Sequence, residues 1–194
     1  EVILLMKELI NREIYPVIFE HGGVGASGDL VQLAHLALVL IGEGEVFYKG
    51  KRTSTLEVFK AENLTPISIQ GREGLALING TSVMTGIGLL NFYYAERLLN
   101  WSIFTSSLIN ELVSAYDDHF SAELNEAKLH QGQQEVAQQM RELLSGSQLI
   151  KKREAHLYKS VEEEFFKEKV QEYYSLRCVQ KILGPIKDTY QSVL

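Results

Sequence analysis

The chain has 194 residues, 45% of them hydrophobic, and carries a formal net charge of −6. This apolar content is enough to bury a core, and a single cysteine excludes an intramolecular disulfide framework. The acidic balance, with an isoelectric point near 5.4, argues against a nucleic-acid or anionic-membrane partner. The single cysteine fits a reducing compartment, so we expect a cytoplasmic protein.

In the first third of the chain, the residue pattern predicts short helices and a hairpin around a glycine-rich segment. Apolar residues at helical spacing predict a helix over 1–13, and an almost continuous apolar run predicts another over 30–41. The glycine-rich segment, 22–30, lies between them. Alternating apolar and polar residues predict a small hairpin at about 45–53, followed by a short helix at 55–61.

Apolar residues on several faces predict a long helix over about 81–115, buried on most sides. This length exceeds what a lone small domain normally hides and indicates packing within an oligomer. Polar residues along the helix argue against a membrane span; they are Asn91, Glu96, Arg97, Asn100 and Asn110.

The remaining sequence is more polar. Residues 124–143, punctuated by Gly132 and Gly146, and residues 161–172 predict peripheral helices and loops. The expected fold class is therefore all-α, a bundle of long helices with a small β-hairpin near the glycine-rich segment.

Ala26, Ser27 and Gly28 form a tripeptide that can become an electrophile. If a tight turn presses the Gly28 nitrogen against the Ala26 carbonyl carbon, the ring can close with loss of water. Loss of the Ser27 hydroxyl as a second water then leaves an exocyclic methylidene. No standard side chain is a good carbon electrophile, so such a group would give an enzyme chemistry that it otherwise lacks. Asp29 is expected to help shape the turn.

Two other interpretations of this segment stay open. Gly23, Gly25 and Gly28 match the dinucleotide-binding pattern G-x-G-x-x-G, between a strand-like run at 15–19 and an apolar helix. The largely helical sequence that follows lacks the alternating strands that a dinucleotide-binding domain needs. The second alternative is an uncyclised turn in a catalytically silent helical scaffold.

Three separated motifs resemble the aromatic amino acid ammonia-lyases, which comprise the histidine, phenylalanine and tyrosine ammonia-lyases and the related aminomutases. The motifs are GGVGASGDLVQLAHLALVLIGEG at 22–44, REGLALINGTSVMTG at 72–86 and VQEYYSLRC at 170–178. The resemblance implies a methylidene-imidazolone made autocatalytically from Ala26, Ser27 and Gly28, without a metal. It also implies an aromatic amino acid substrate and a homotetramer with shared active sites.

The resemblance implies roles for four further residues. Asn79 lines the prosthetic group, where its carboxamide can hydrogen-bond the substrate carboxylate or the charge on the imidazolone. Arg177 is the carboxylate anchor, to which its planar guanidinium is suited. Tyr174 donates a hydrogen bond or moves a proton in a neighbouring subunit's active site, and Gln171 positions the substrate or the tyrosine. From the residues alone, Asn79 fits a turn, Arg177 a surface charge and Tyr174 aromatic packing.

The histidines suggest no metal site, because their spacing matches none. His35 is expected to be a core histidine with one hydrogen bond, and His21 to lie in the loop beside the glycines. The others are expected to be exposed: His119, His130 and His156. The basic cluster at 151–153 is interpreted as an ordinary solvated face.

The chain also departs from the family pattern. Family members often have proline at Phe19, serine at Gly23, aspartate at Glu172, and proline and glutamine at Gln180 and Lys181. The changes after residue 170 are expected to alter the loop that holds Tyr174 and Arg177.

The resemblance identifies 1–194 as the central portion of an ammonia-lyase domain. The family's catalytic base, a flexible-loop tyrosine, is expected upstream of this portion, and further active-site residues downstream. We therefore expect the chain to be inactive alone. L-Histidine, giving urocanate, is the first expected substrate, while tyrosine, phenylalanine and an aminomutase reaction remain open.

Overall fold

The computed structural model describes residues 1–158, 165 and 169–193. The chain forms two compact units, Glu1–Asn91 and Phe92–Leu194, and each is described by itself.

The first unit packs helices against a small antiparallel sheet. Its elements are α1 (Val2–Asn11), β1 (Tyr15–Pro16), α2 (Leu30–Leu40), β2 (Glu45–Tyr48), β3 (Lys51–Ser54), α3 (Thr55–Glu62) and α4 (Glu73–Ile78), followed by the start of α5 (Ser82–Leu112). The strand order is β1-β2-β3, with Tyr15 opposite Phe47 and Val46 opposite Thr53. The buried core comprises Leu5, Leu9, Ile14, Val39, Leu40, Val46, Val58 and Phe59. This core fixes α2, whose N-terminus follows the glycine-rich segment.

The regular elements of the second unit, within its described residues, are helices and one 3₁₀ turn, with an isolated β-bridge between Tyr116 and Lys151. After the remainder of α5 come a 3₁₀ turn (Asp117–Phe120), α6 (Ala122–Glu126), α7 (Gln131–Leu143), α8 (Arg153–Leu157), α9 (Tyr174–Arg177) and α10 (Val179–Val193). Its core comprises Leu99, Ile103, Phe120, Val136, Met140 and Val179. The core therefore joins α5, the 3₁₀ turn, α7 and α10.

Helices α7 and α10 approach each other closely at two glycines. A Cβ on Gly184 would lie 2.6 Å from both the Cα and the nitrogen of Gln133, and one on Gly132 would overlap the Gly184 carbonyl oxygen. The Gly132 N–H donates to Asp188 Oδ1 over 2.7 Å. The contact thus depends on bare backbone on both helices.

The predicted fold class is confirmed, including the small hairpin. The predicted helix 1–13 is α1, the hairpin 45–53 is β2 and β3, the helix 55–61 is α3, and the helix 81–115 is α5. The strand-like run 15–19 forms only the two-residue strand β1. One backbone bond continues it, from the Val17 N–H to the Glu45 carbonyl.

Helix α5 is largely exposed in the single chain, where only Leu99, Ile103, Ser107 and Asn110 are buried. Its predicted burial on most sides within an oligomer stays a prediction. Its large exposed apolar residues include Leu89, Leu90, Tyr93, Tyr94, Leu98, Trp101, Phe104, Ile109 and Leu112. The polar stretch 124–143 is not peripheral throughout, since α7 contributes fully buried Val136 and Met140 to the second core. Most of 161–172 lies outside the described residues.

One helical stretch among the described residues is long and apolar enough to cross a membrane by length and composition. It is Glu73–Leu112, with a mean hydropathy of 1.4 in its most apolar window. The core helix of a soluble protein meets the same criteria.

Candidate active site

The Ala26-Ser27-Gly28 tripeptide forms a turn with unusual backbone angles. Gly25, Ser27 and Gly28 have φ of +67°, +62° and +86°. Glycine adopts such angles freely, whereas a serine there is strained. Ala26 and Ser27 are exposed and Gly28 is half-buried. The serine of the tripeptide is therefore held in a strained conformation with its side chain accessible.

The Gly80 backbone packs directly against this turn. A Cβ on Gly28 would overlap the Gly80 carbonyl oxygen, so only glycine fits. That same oxygen accepts a hydrogen bond from the Asp29 N–H over 2.8 Å. Ring closure across the tripeptide needs a nitrogen that no Cβ shields and a strained turn. Gly28 supplies the first and Ser27 the second, so these residues fit a methylidene-imidazolone.

Asp29 fixes the turn to the start of α5. The residue is only 3% exposed, and its Oδ2 accepts a hydrogen bond from the Met84 N–H over 2.9 Å. Met84 is in the first turn of α5, where backbone N–H groups lack intrahelical partners and favour an acidic side chain. The Asp29 carbonyl also accepts the Leu33 N–H of α2 over 2.9 Å. This confirms that Asp29 helps shape the turn.

Replacing Asp29 is expected to loosen the turn. Asp29→Ala removes the charged acceptor of the partly buried bond from the Met84 N–H, which should cost about 1.5–3 kcal/mol of unfolding free energy. Asp29→Asn keeps an oxygen that can accept this bond and should cost less than half as much. Thermal unfolding of the two variants checks the order, and equal losses would show that the hydrogen bond is not what matters.

Asn79 directly precedes Gly80, the residue whose carbonyl packs against Gly28, and this places it near the turn. It ends α4, and its N–H donates to the Leu75 carbonyl over 2.9 Å. Its side chain is exposed and makes no hydrogen bond within the part of the chain that is described. The structure therefore brings Asn79 and the tripeptide together in the first unit, with the Asn79 carboxamide free to bind a ligand.

The other predicted site residues lie in the second unit, around α9. The Arg177 guanidinium lies over the Tyr174 ring, 4.2 Å from its centroid. Tyr174 is 71% exposed, and Gln171 is also exposed. The Arg177 Nε is buried without a hydrogen-bond partner among the described residues. A buried donor of this kind is normally paired, so it is available for an anionic ligand or a neighbouring chain.

Gln171 and Arg177 line one cavity of about 590 Å³. The other lining residues are Asp118, His119, Arg153, Tyr158 and Val170. Arg153 donates to Asp118 over 2.7 Å, and this bond raises the pKa of the Arg153 guanidinium. The cavity thus contains two guanidiniums, one of them already paired with a carboxylate.

Sequence reasoning missed two of these residues. The prediction that His119 is exposed was wrong: it is 8% exposed, and burial lowers the pKa of its imidazole below the usual value. Arg153 was assigned to a solvated face, but its side chain is 15% exposed. Neither has a local signature, because both are buried by elements distant in sequence.

The other histidines take no part in a described metal cluster. His35 is half-buried, with its Nδ1 2.7 Å from the Val31 carbonyl oxygen and its ring edge-on to Phe19. His21 and His130 are exposed, and His156 is half-buried. No group of three metal-ligating side chains occurs in the residues searched, which are those the structure describes.

Three residues that depart from the family pattern make specific contacts in the structure or leave space for a neighbouring side chain. A side chain on Gly23 would overlap the carboxamide of Gln32, which already occupies that space. Glu172 is 7% exposed and pairs with Lys169 over 2.6 Å. Gln180 is fully buried and hydrogen-bonds the backbone of Arg177. The loop carrying Arg177 is therefore held by a residue that departs from the pattern.

The dinucleotide alternative finds no support in the first unit. Its sheet is antiparallel and has three short strands, whereas the G-x-G-x-x-G loop needs a parallel βαβ unit. The fold and the turn instead define a helical protein with a strained Ala-Ser-Gly tripeptide.

The sequence model of the aromatic amino acid lyase family matches residues 1–194. The chain belongs to this family. It is 43% identical over 183 residues to a histidine ammonia-lyase of Bacillus cytotoxicus, covering 94% of this chain and 34% of that protein. It is 41% identical over 188 residues to one of Koribacter versatilis, covering 97% and 34%. The chain thus spans about a third of the length of these curated relatives.

Solved structures share the fold. The chain superposes on a phenylalanine aminomutase of Pantoea agglomerans with a TM-score of 0.88 and 32% identity, covering 99% of this chain and 38% of that one. A tyrosine aminomutase of Streptomyces globisporus gives a TM-score of 0.84 at 34% identity, covering 97% and 37%. A histidine ammonia-lyase of Trypanosoma cruzi gives 0.77 at 26%, covering 99% and 33%.

Proposed function

We propose that the protein containing this chain eliminates ammonia from an aromatic L-amino acid, with histidine as the first candidate substrate. The observation that carries the proposal is the turn at Ser27 and Gly28, where strained backbone and the close Gly80 carbonyl suit cyclisation of the tripeptide. Family membership and the histidine ammonia-lyase relatives support the same reaction.

The reaction breaks a C–N bond and removes a β-proton of low acidity. A methylidene-imidazolone formed from Ala26, Ser27 and Gly28 would supply the carbon electrophile that makes the substrate amine a better leaving group. Asp29 and Gly80 hold the tripeptide in place through hydrogen bonds of 2.8 and 2.9 Å.

The remaining site residues bind and orient the substrate. Arg177 binds the carboxylate through its planar donors, and its unpartnered Nε supports this role. The Asn79 carboxamide donates to the same carboxylate or to the charge that develops beside the turn. Tyr174 supplies a hydroxyl that donates a hydrogen bond or transfers a proton, and Gln171 orients the substrate from the cavity shared with Arg177.

The site is proposed to be completed by other copies of the chain in a cytoplasmic homotetramer. The exposed apolar residues of α5 support burial in an assembly, since a stable monomer rarely leaves such a surface to water. The base that removes the β-proton lies outside residues 1–194 in this proposal. The chain alone is accordingly proposed to be inactive.

The second candidate is an aminomutase, favoured by the fold shared with the tyrosine and phenylalanine aminomutases. The two reactions differ in product. The full-length protein should be incubated with L-histidine, L-phenylalanine and L-tyrosine in turn, and the products separated. A lyase accumulates an arylacrylate and ammonia, whereas an aminomutase accumulates a β-amino acid. Absence of both products with all three substrates would contradict the proposal.

Replacing Arg177 should weaken substrate binding in the transition state. Arg177→Met removes the charge-assisted hydrogen bonds to the carboxylate and should lower kcat/KM about 100-fold. Arg177→Lys keeps the charge but not the fork, so the loss should be nearer tenfold. Steady-state kinetics of the full-length enzyme checks both values.

Arg52 offers a matched control for this experiment. It is exposed on β3 and also lies over an aromatic ring, that of Phe19, at 5.7 Å. Arg52→Met should leave kcat/KM within about twofold, since surface substitutions away from a site have small effects. Unchanged kinetics in Arg177→Met would remove Arg177 from the site.

A further inference from the structure

Helix α9, which carries Tyr174 and Arg177, is a single turn of four residues. A helix this short has no stability of its own, because nucleation costs more than one turn of hydrogen bonds returns. Its internal bonds are those from the Leu176 and Arg177 N–H groups to the Tyr173 carbonyl and from the Cys178 N–H to the Tyr174 carbonyl, each 3.0 Å. The position of Arg177 must therefore be set by contacts with other elements.

Two buried carboxamides supply such contacts by binding the carbonyls of α9. Gln180 is 0% exposed, and its Nε2 donates to the Arg177 carbonyl over 3.2 Å and to the His119 carbonyl over 2.9 Å. Asn110 of α5 is also 0% exposed, and its Nδ2 donates to the Leu176 carbonyl over 3.4 Å and to the Ser106 carbonyl over 2.8 Å. The bond from Gln180 to α9, at 3.2 Å, is shorter than the bond from Asn110 to α9, at 3.4 Å.

The second acceptor of Gln180 is itself anchored. The His119 carbonyl also accepts from Asn125 Nδ2 over 3.2 Å, and Asn125 Oδ1 accepts from Gln133 Nε2 over 3.0 Å. The next residue, Phe120, is 1% exposed in the core of the second unit. Gln180 therefore ties the Arg177 backbone to a fixed point in the core.

We propose that Gln180 is a positioning residue for Arg177: the two N–H bonds of its carboxamide bridge the His119 and Arg177 carbonyls and set where the guanidinium projects. The inference rests on the proposed function of Arg177 as the carboxylate anchor. Gln180 is fully buried and is not expected to touch the substrate. Replacing Gln180 should therefore change the kinetics only by displacing Arg177. A residue that merely stabilises the core would change the unfolding free energy without this kinetic effect.

The test uses Gln180→Met in the full-length enzyme, which keeps the volume and removes both donors. The matched control is Gln133→Met, because Gln133 is a buried carboxamide whose Nε2 donates to Asn125 Oδ1, and Asn125 keeps its own bonds to the His119 and Ser121 carbonyls when Gln133 is replaced. We expect Gln180→Met to lower kcat/KM about 10- to 100-fold, mainly through KM, since small misplacements of a binding group have effects of this size. Gln133→Met should reduce thermal stability without this kinetic change. Equal kinetic losses in the two variants would overturn the proposal.

A double-mutant cycle tests the route through Arg177. In an Arg177→Met background, Gln180→Met should cause little further loss of kcat/KM; an undiminished loss there would overturn the proposal. Should Gln180→Met fail to fold, Gln180→Asn, which keeps the carboxamide on a shorter chain, replaces it with the same expectations.

Amide hydrogen exchange separates this inference from the proposed reaction. In Gln180→Met the amides of Arg177 and Cys178 should exchange faster than in Gln133→Met, because α9 has lost its tie to the core. Equal exchange would overturn the positioning role. A wild-type protein without lyase or aminomutase activity would instead contradict the proposed function, and the exchange comparison would still decide whether Gln180 fixes the Arg177 backbone.

Discussion

Ser27→Ala in the full-length protein is expected to abolish formation of the electrophile and to lower turnover at least about a thousandfold, equivalent to about 4 kcal/mol of transition-state stabilisation. Alanine has no β-hydroxyl to lose, so the second dehydration cannot occur. The mass of the peptide containing Ala26, Ser27 and Gly28 measures the first effect directly. The wild-type peptide should have lost two waters, and the variant should not.

The fold should survive this substitution, because the Ser27 side chain is exposed. Ser145→Ala, at an exposed serine after α7, is the matched control and should retain both the dehydrated peptide and full turnover. Undiminished turnover in Ser27→Ala would contradict the proposed reaction. An unmodified peptide in the wild-type full-length protein would favour a catalytically silent scaffold.

Gly184→Ala is expected to destabilise the second unit strongly. The added Cβ would lie 2.6 Å from the Cα and nitrogen of Gln133, and backbone atoms cannot rotate away as a side chain can. Overpacking of this kind typically lowers the unfolding free energy by about 1–3 kcal/mol. Because the clash is with backbone atoms, we expect a loss of about 3 kcal/mol or more for Gly184→Ala. Gly132→Ala should act similarly, because its Cβ would overlap the Gly184 carbonyl oxygen. Thermal and denaturant unfolding measure the loss.

Lys181→Ala is the control, because it adds alanine to an exposed position of the same helix. Alanine is a good helix former, so this variant should change stability by less than about 0.5 kcal/mol. A melting temperature in Gly184→Ala equal to that in Lys181→Ala would show that α7 and α10 can separate without cost.

Much of the fold could be predicted because its signals are local. The apolar spacing of α1, the alternation of β2 and β3 and the length of α5 are all read within one segment. Burial was predicted less well, because it depends on partners. Gly132 was interpreted as punctuation, but it lies inside α7 and admits the α10 backbone. Nothing in the sequence around Gly132 indicates the helix that packs against it.

The candidate site likewise contains parts that could be predicted from local sequence and parts that could not. The tripeptide could be predicted from the chemistry of three adjacent residues, whereas Asn79, Tyr174 and Arg177 were indicated only by resemblance. Two contacts could not be predicted: the packing of the Gly80 carbonyl against Gly28, and the bond from Gln180 to the His119 carbonyl. Each joins positions far apart in sequence, and the neighbouring residues give no sign of the contact.

The packing of Gly28 against the Gly80 carbonyl constrains how this tripeptide can change over generations. Glycine at position 28 is required by space alone, so a descendant that had lost all chemistry would still be selected to keep it for folding. Ser27 is exposed and strained, and in such a descendant it would be free to drift, with glycine or asparagine relieving the backbone. Among related chains, the identity of the residue at position 27 should therefore distinguish working copies from decayed ones, whereas the glycine beside it should be retained in both.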